Sequence, residues 1–119
     1  MPATLLIVED NPDLRDLLAT FLKMEGFAVR TAEDGEAGLR MIREQPPDLV
    51  ITDIAMPKLD GISMIKELSR SPETKNLPVL VLSAYCGNNG TEAMEAGATR
   101  AAYKPMQLEA LLRMIEQLL

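Results

Sequence analysis

Short runs of Val, Ile, Leu and Ala alternate along the chain with longer segments in which apolar residues recur every three or four positions. Uninterrupted apolar runs are typical of strands buried on both faces, and the three-to-four spacing is typical of helices with one buried face. The two patterns alternate five times. The predicted strands cover residues 4–8, 28–32, 49–52, 79–82 and 100–103.

The helical segments carry start and stop signals. Asn11 is a predicted N-cap and Pro12 a first-turn residue, and the first helix is expected to end near Gly26. Its predicted apolar face comprises Leu14, Leu17, Leu18 and Phe21. Further helices are predicted over residues 36–44, after Gly61, and from Leu108 to the end of the chain. The segment CGNNGTEAMEAG opens with glycines and asparagines, which predicts a short, mobile fourth helix.

Strands that alternate with helices through short loops are expected to lie parallel, with right-handed crossovers and helices on both faces of the sheet. The sequence therefore predicts a doubly wound α/β fold, and its 119 residues fit one domain over positions 1–119. In such sheets, ligands bind at the carboxyl ends of the strands. The residues just after each predicted strand are therefore the candidates for function.

Charged and hydroxyl side chains occupy those positions. Glu9 and Asp10 follow the first strand, Asp53 the third, Ser83 the fourth and Lys104 the fifth. Each is ordinary at a strand end, but their joint placement at one edge of the sheet favours a shared function. Three carboxylates brought together need a shared proton or a divalent cation. Because the chain contains no histidine, a hard cation such as Mg²⁺ fits best.

Composition and charge argue against several kinds of protein. Hydrophobic residues make up 47% of the chain, enough for an aliphatic core, and the net charge of -6 argues against direct binding of nucleic acid or anionic lipid. No basic region precedes the first apolar run, and no stretch approaches the ~18 apolar residues of a membrane span. The single cysteine, Cys86, cannot form an internal disulfide. We therefore expect a cytoplasmic protein without membrane insertion.

Several motifs together resemble the receiver domain of response regulators in two-component signalling, over essentially the whole chain. The segments LLIVEDNPDLRDLL, TAEDGEAGL and PDLVITDIAMPKLDG resemble the family's first strand and acidic loop, its second loop and helix, and its phosphoacceptor strand. The segments VLVLSAY and EAGATRAAYKP resemble its last two strands. The resemblance implies a flavodoxin-like sheet with strand order 2-1-3-4-5. It also implies a single-domain regulator of the stand-alone type.

The resemblance implies a role for each carboxylate. Asp53 would accept a phosphoryl group from a phosphohistidine on a histidine kinase or a histidine phosphotransfer protein. Mg²⁺ or Mn²⁺ would be bound by Asp10, Asp53 and the main-chain carbonyl of Ala55, with Glu9 acting through a water molecule. Because the chain contains no histidine, the donor must be another molecule. The protein would be a phosphoacceptor and not an enzyme that turns over an external substrate.

Two further residues would respond to phosphorylation. By resemblance, Lys104 would pair with one phosphoryl oxygen and Ser83 would donate its hydroxyl to another. The family's peptide bond before the residue matching Pro105 is cis, which would aim the lysine inward. The pull on Ser83 would move the loop after the fourth strand. The signal would leave through the face of the fourth helix, fifth strand and last helix, to a downstream protein that the sequence does not identify.

Two departures from the family pattern affect the expected mechanism. Ala101 replaces the aromatic residue usually found three positions before the lysine, and Tyr103 is expected to be a core residue, so output would rely on the Ser83 loop. The positions two past the aspartate and two past the serine are Ala55 and Tyr85. Neither side chain is a carboxylate or amide that orients an attacking water, which predicts slow loss of the phosphoryl group.

Other functions fit these residues less well. A flavin-binding protein of similar topology needs a loop rich in hydroxyls and amides where this chain has EDNPD, and an aspartyl-phosphate hydrolase needs an acid in place of Ala55. Two alternatives stay open. One is a receiver-like module that binds proteins without phosphorylation, and the other is a receiver cut from a larger transcription factor or hybrid kinase.

Overall fold

The computed structural model describes residues 2–53, 61–83, 93–103 and 107–119, except the side chains of Ser83 and Tyr103. Within these ranges the strands are β1 (Thr4–Val8), β2 (Ala28–Ala32), β3 (Leu49–Asp53), β4 (Val79–Ser83) and β5 (Arg100–Tyr103). The helices are α1 (Pro12–Met24), α2 (Gly35–Glu44), α3 (Gly61–Arg70) and α4 (Leu108–Leu118), and residues 93–96 are also helical. None of these helices has the length and apolar character of a membrane span. All five predicted strands are present, and β3 and β4 each extend one residue beyond the predicted end.

The strands form one parallel sheet in the order β2-β1-β3-β4-β5. The chain passes from β1 outward to β2, returns to β3 on the other side of β1, and then continues to β5. This confirms the predicted doubly wound fold and its strand order. The order reverses between β1 and β3, and open α/β sheets bind ligands at the carboxyl edge beside such a reversal.

Alternation of side chains along the strands divides the core into two layers. One layer packs against α2 and α3, and its buried strand residues are Leu6, Val8, Ala32, Val50, Val79 and Val81. The other packs against α1 and α4, and its buried strand residues are Leu5, Ile7, Leu49, Ile51, Leu80, Leu82 and Ala102. Because both faces of the central strands are covered, these strands are continuous aliphatic runs in the sequence.

The buried face of α1 differs from the predicted apolar stripe. Leu18 and Leu22 are buried, Leu14 and Phe21 pack at the edge of the core, and Leu17 is 52% exposed. At 100° per residue, Leu17 lies about 140° around the helix axis from Leu22. The spacing of apolar residues predicts a helix here but does not determine which side of the stripe meets the sheet. The assignment of Leu17 to the buried face is therefore wrong.

A tight turn after residues 93–96 is anchored to α3. Gly97 has a φ of +124°, and its N–H donates a hydrogen bond to the carbonyl of Ala93 at 3.2 Å. The hydroxyl of Ser69 on α3 donates to the carbonyl of Ala96 at 3.0 Å. A Cβ atom built on Gly97 would collide with the Ser69 Oγ. This position therefore requires glycine for two reasons, its backbone conformation and the contact with α3.

Gly97→Ala is expected to lower the free energy of unfolding by roughly 2–3 kcal/mol, since a non-glycine residue in a disfavoured backbone region costs about 1–3 kcal/mol and the collision with Ser69 adds to this. Gly26→Ala is the matched control, because Gly26 has a φ of +100° and no atom lies within 4 Å of an added Cβ. Chemical denaturation measures both variants. Equal losses of stability would show that the contact with Ser69 contributes nothing.

Candidate functional site

The pairing of β1 with β3 brings two acidic residues side by side. Val8 of β1 pairs with Thr52 of β3, so the next residues, Glu9 and Asp53, are neighbours at the carboxyl edge of the sheet. Ile7 and Ile51, two positions earlier, both lie in the core layer beneath α1 and α4. Since side chains alternate along a strand, Glu9 and Asp53 belong to that same side of the sheet.

The carboxylates of Glu9, Asp10 and Asp53 form a cluster at this edge. One carboxylate oxygen from each residue lies within 4.8 Å of those from the other two. Glu9 is 3% exposed, Asp53 is half-buried and Asp10 is exposed. The structure therefore brings together the three acidic residues whose positions after the first and third strands predicted a cluster. The cluster opens to solvent on the side of Asp10.

Glu9 is held at its main chain and at its side chain. Its N–H donates to the carbonyl of Ala32 at 3.0 Å, which continues the pairing of β1 with β2 by one residue. Its carbonyl accepts from Arg15 Nη1 at 2.9 Å, and its carboxylate Oε2 accepts from the N–H of Asn11 at 3.2 Å. The hydrogen bonds to the N–H and carbonyl of Glu9 thus fix its backbone, and the bond from Asn11 fixes the direction of its buried carboxylate.

Asp53 also has support from its own strand. The neighbouring Thr52 is 1% exposed, and its hydroxyl donates to the main-chain carbonyl of Asp53 at 2.8 Å. On the other side of β3, Asp53 pairs with Leu82 of β4. The half-buried aspartate therefore lies at the centre of the sheet edge, between the ends of β1 and β4.

The N-terminus of α1 begins directly after Asp10. The side chain of Asn11 accepts hydrogen bonds from the N–H groups of Asp13 at 2.9 Å and Leu14 at 3.3 Å, and Pro12 opens the helix. This confirms the predicted N-cap. The positive end of the helix dipole stabilises negative charge nearby. The N-terminus of α1 therefore offsets part of the repulsion among the clustered carboxylates.

Arg15 contacts the acidic cluster through the Glu9 carbonyl, and the sequence patterns did not indicate this contact. It lies at the end of the first turn of α1, where a cation is unfavourable for the helix dipole. That unfavourable position is the signal in the sequence that could have identified it. Its hydrogen bond to the Glu9 carbonyl places the guanidinium beside the main chain of the acidic cluster.

The donor set suits a hard divalent cation. All three clustered groups offer carboxylate oxygens, which Mg²⁺ and Mn²⁺ prefer over nitrogen or sulfur ligands. Three carboxylate oxygens that lie within 4.8 Å of one another are close enough to face one cation placed among them. The residues present therefore fit the ion.

The remaining predicted site residues are only partly described. Ser83 ends β4 and pairs with Tyr103 of β5 in the backbone register, and Lys104 follows Tyr103 directly in the sequence. Ala101 is partly buried and packs against the core layer beneath α2 and α3. Other predicted residues and most of the predicted fourth helix lie outside the described part of the chain, namely Ala55, Tyr85, Lys104, Pro105 and residues 84–92.

Comparison with known proteins gives consistent results over the length of the chain. The family model of the response regulator receiver domain matches residues 5–116. A solved Chloroflexus aurantiacus protein, assigned as a response regulator, is 34% identical, with a TM-score of 0.95 over 99% of this chain and 98% of that one. The chemotaxis response regulator CheY4 of Vibrio cholerae is 28% identical, with a TM-score of 0.93 over all of both chains.

Curated relatives differ in length. An uncharacterized protein of Leptolyngbya boryana is 32% identical over 95% of this chain and 87% of its own length. The response regulator MprA of Mycolicibacterium vanbaalenii is 35% identical over 100% of this chain, which spans 51% of that protein. The regulatory protein AtoC of Escherichia coli is 35% identical over 97% of this chain, which spans 25% of it. The chain therefore corresponds to a part of the longer regulators.

Proposed function

Since this chain belongs to the response regulator receiver family of two-component signalling, we propose that Asp53 accepts a phosphoryl group from a phosphohistidine of a partner protein. The observation that carries the proposal is the cluster of Glu9, Asp10 and Asp53 at the carboxyl edge of the sheet, with oxygens within 4.8 Å of one another. Asp53 is the central residue of this edge and is half-buried, which suits a nucleophile that must meet a donor from solution.

In the proposed step, a carboxylate oxygen of Asp53 forms a bond to phosphorus while the P–N bond to the donor imidazole breaks. The electron pair of that bond leaves with the imidazole nitrogen, and Asp53 becomes an acyl phosphate. A Mg²⁺ ion held by the cluster would supply positive charge that offsets the repulsion between the carboxylate and the phosphoryl oxygens. Asp10, Asp53 and the main-chain carbonyl of Ala55 would hold the ion directly, and Glu9 would hold it through a water molecule.

The donor in this proposal is a histidine kinase or a histidine phosphotransfer protein. These 119 residues contain no histidine, so the phosphohistidine must lie outside them. The net charge of -6 supports a protein as partner over nucleic acid or an anionic membrane surface. Asp10 is the exposed member of the cluster, so the donor would approach from the side of the β1–α1 loop.

Output would depend on two residues at the ends of β4 and β5. Once Asp53 is phosphorylated, Ser83 would donate its hydroxyl to one phosphoryl oxygen and Lys104 would pair with another, with a cis bond to Pro105 aiming the lysine. The loop after β4, together with the face formed by residues 93–96, β5 and α4, would then present a changed surface to a downstream protein. Ala101 has no aromatic ring that could change rotamer, so the change would occur in the Ser83 loop, and Tyr103 would stay in the core.

The proposal is tested by locating the phosphoryl group after incubation with phosphoramidate and Mg²⁺. Phosphoramidate has a P–N bond of the kind found in phosphohistidine. Borohydride reduces an aspartyl phosphate to homoserine, and peptide mass spectrometry then identifies the residue. We expect homoserine at position 53. Reduction at another carboxylate, or a phosphoryl group that borohydride does not remove, would refute Asp53 as the acceptor.

The lifetime of the acyl phosphate is expected to be long. Ala55 and Tyr85, at the two positions that influence hydrolysis in this family, have neither a carboxylate nor an amide to orient an attacking water. Ala55→Asn adds an amide two positions past the acceptor in the sequence and is expected to speed dephosphorylation several-fold. Ala55→Val is the control, since it adds bulk without a polar group. Intact mass after removal of the donor gives the rates, and a slower loss in Ala55→Asn than in the unmodified protein would contradict the expectation.

A further inference from the structure

The hydrogen bond from Arg15 to the carbonyl of Glu9 acts on the peptide unit that joins Glu9 to Asp10. Arg15 Nη1 lies 2.9 Å from this oxygen, and the contact is partly buried. Because a peptide unit is planar, fixing its carbonyl also fixes the direction in which the chain enters Asp10. The guanidinium therefore acts on the backbone of the exposed member of the acidic cluster.

The other side of Asp10 is fixed as well. The N–H of Asn11 donates to the carboxylate of Glu9 at 3.2 Å. Asp10 thus lies between two hydrogen-bonded peptide units, one held by Arg15 and the other by Glu9 itself. Removal of the Arg15 contact would release one of the two restraints on a residue that is otherwise exposed to solvent.

The side chain of Arg15 lines a groove between the end of β2 and α2, together with Thr31, Glu33 and Arg40. Its charge and its hydrogen bond have opposite effects on a cation in the cluster. The positive charge repels the cation, but salt and solvent screen this repulsion at a site that opens to water. The hydrogen bond orders the ligands before the cation arrives, and that effect is not screened. The positioning effect should therefore dominate at physiological ionic strength.

We infer that Arg15 is a positioning residue of the acidic site, which holds the Glu9–Asp10 peptide so that the carboxylates are arranged for a divalent cation. The inference rests on the proposed function, because it assumes that the cluster binds Mg²⁺. Loss of an outer-shell partner typically weakens metal binding by about 10–100-fold. Arg15 acts through the main chain, so we expect the lower end of this range, roughly 10-fold.

The test is a Mg²⁺ titration of the protein by isothermal titration calorimetry, near 0.15 M ionic strength. Arg15→Met removes the charge and the donor but keeps the aliphatic stem, and it is expected to raise the Kd for Mg²⁺ by roughly 10-fold. Arg15→Lys keeps the charge without the planar guanidinium, and its Kd for Mg²⁺ is expected to lie between those of the unmodified protein and Arg15→Met. Arg40→Met is the matched control, since Arg40 lines the same groove from α2, and its Kd should equal that of the unmodified protein.

Two further measurements separate positioning from general stability. Thermal unfolding in chelator shows whether each variant is folded at the titration temperature. Backbone amide shifts of Glu9, Asp10 and Asn11 without Mg²⁺ should change in Arg15→Met and not in Arg40→Met. Should Arg15→Met prove poorly folded, Arg15→Lys decides the question by the same two readouts.

The outcomes are distinct. Weaker Mg²⁺ binding in the Arg15 variants, with changed amide shifts at the cluster, supports the inference. Binding as tight as in the unmodified protein, or tighter because a repelling charge is gone, overturns it and leaves the proposed function intact. Failure of the unmodified protein to bind Mg²⁺ refutes the magnesium site itself, and the inference falls with it.

Discussion

Asp53→Asn is expected to abolish uptake of a phosphoryl group. An amide is not a nucleophile toward phosphorus at neutral pH, and no other acidic residue of the cluster has the same position, since Glu9 is 3% exposed and Asp10 precedes the first turn of α1. The substitution keeps the shape of the side chain and removes one of three negative charges. It should therefore leave the fold intact. Radiolabel or intact mass after incubation with an acyl phosphate and Mg²⁺ measures the effect.

Asp16→Asn is the control for this loss. Asp16 is an exposed aspartate on α1 that is not a member of the acidic cluster, and its replacement makes the same chemical change. Full phosphorylation of Asp16→Asn with none in Asp53→Asn is the predicted result. Comparable phosphorylation of both variants would mean that the acceptor is another residue.

Asp10→Asn is expected to weaken Mg²⁺ binding, because Asp10 is proposed as a direct ligand and an amide carries no charge. Loss of an outer-shell partner weakens metal binding by roughly 10–100-fold, and the loss of a direct ligand should cost at least as much. Phosphorylation at limiting Mg²⁺ should slow in proportion. Excess Mg²⁺ should restore the rate, since the acceptor itself is unchanged. Calorimetric titration gives the affinity, and initial rates of phosphorylation over a range of Mg²⁺ concentrations give the rescue.

Asp13→Asn provides the comparison for Asp10. Asp13 is also exposed and lies in the first turn of α1, yet it is outside the cluster of three carboxylates. A general loss of negative charge near the site would weaken Mg²⁺ binding in both variants alike. A loss confined to Asp10→Asn supports direct coordination, whereas unaltered Mg²⁺ affinity in Asp10→Asn would exclude Asp10 as a ligand.

The convergence of Glu9, Asp10 and Asp53 could be predicted from the sequence because it depends on topology. Parallel strands present their carboxyl ends at one edge, and the register of β1 with β3 makes Glu9 and Asp53 neighbours. The N-cap at Asn11 was also predictable, since capping depends on local chemistry within a few residues. Local capping and strand order are therefore the features of this protein that its sequence predicts directly.

Contacts between distant surfaces could not be predicted in the same way. The exposure of Leu17 depends on how α1 is rotated against the sheet, which apolar spacing alone does not determine. The hydrogen bond from Arg15 to the Glu9 carbonyl depends on how a long side chain reaches back across the β1–α1 loop. The roles of Ser83 and Lys104 stay predictions, because the side chain of the first and the whole of the second lie outside the described residues.

The proposed phosphoryl transfer to Asp53 requires the acidic cluster and its cation. The most direct measurement is the intact mass of the unmodified protein after incubation with acetyl phosphate, once with Mg²⁺ and once with a chelator. We expect one added phosphoryl group with Mg²⁺ and none with the chelator. No addition in Mg²⁺, or equal addition under both conditions, would contradict it.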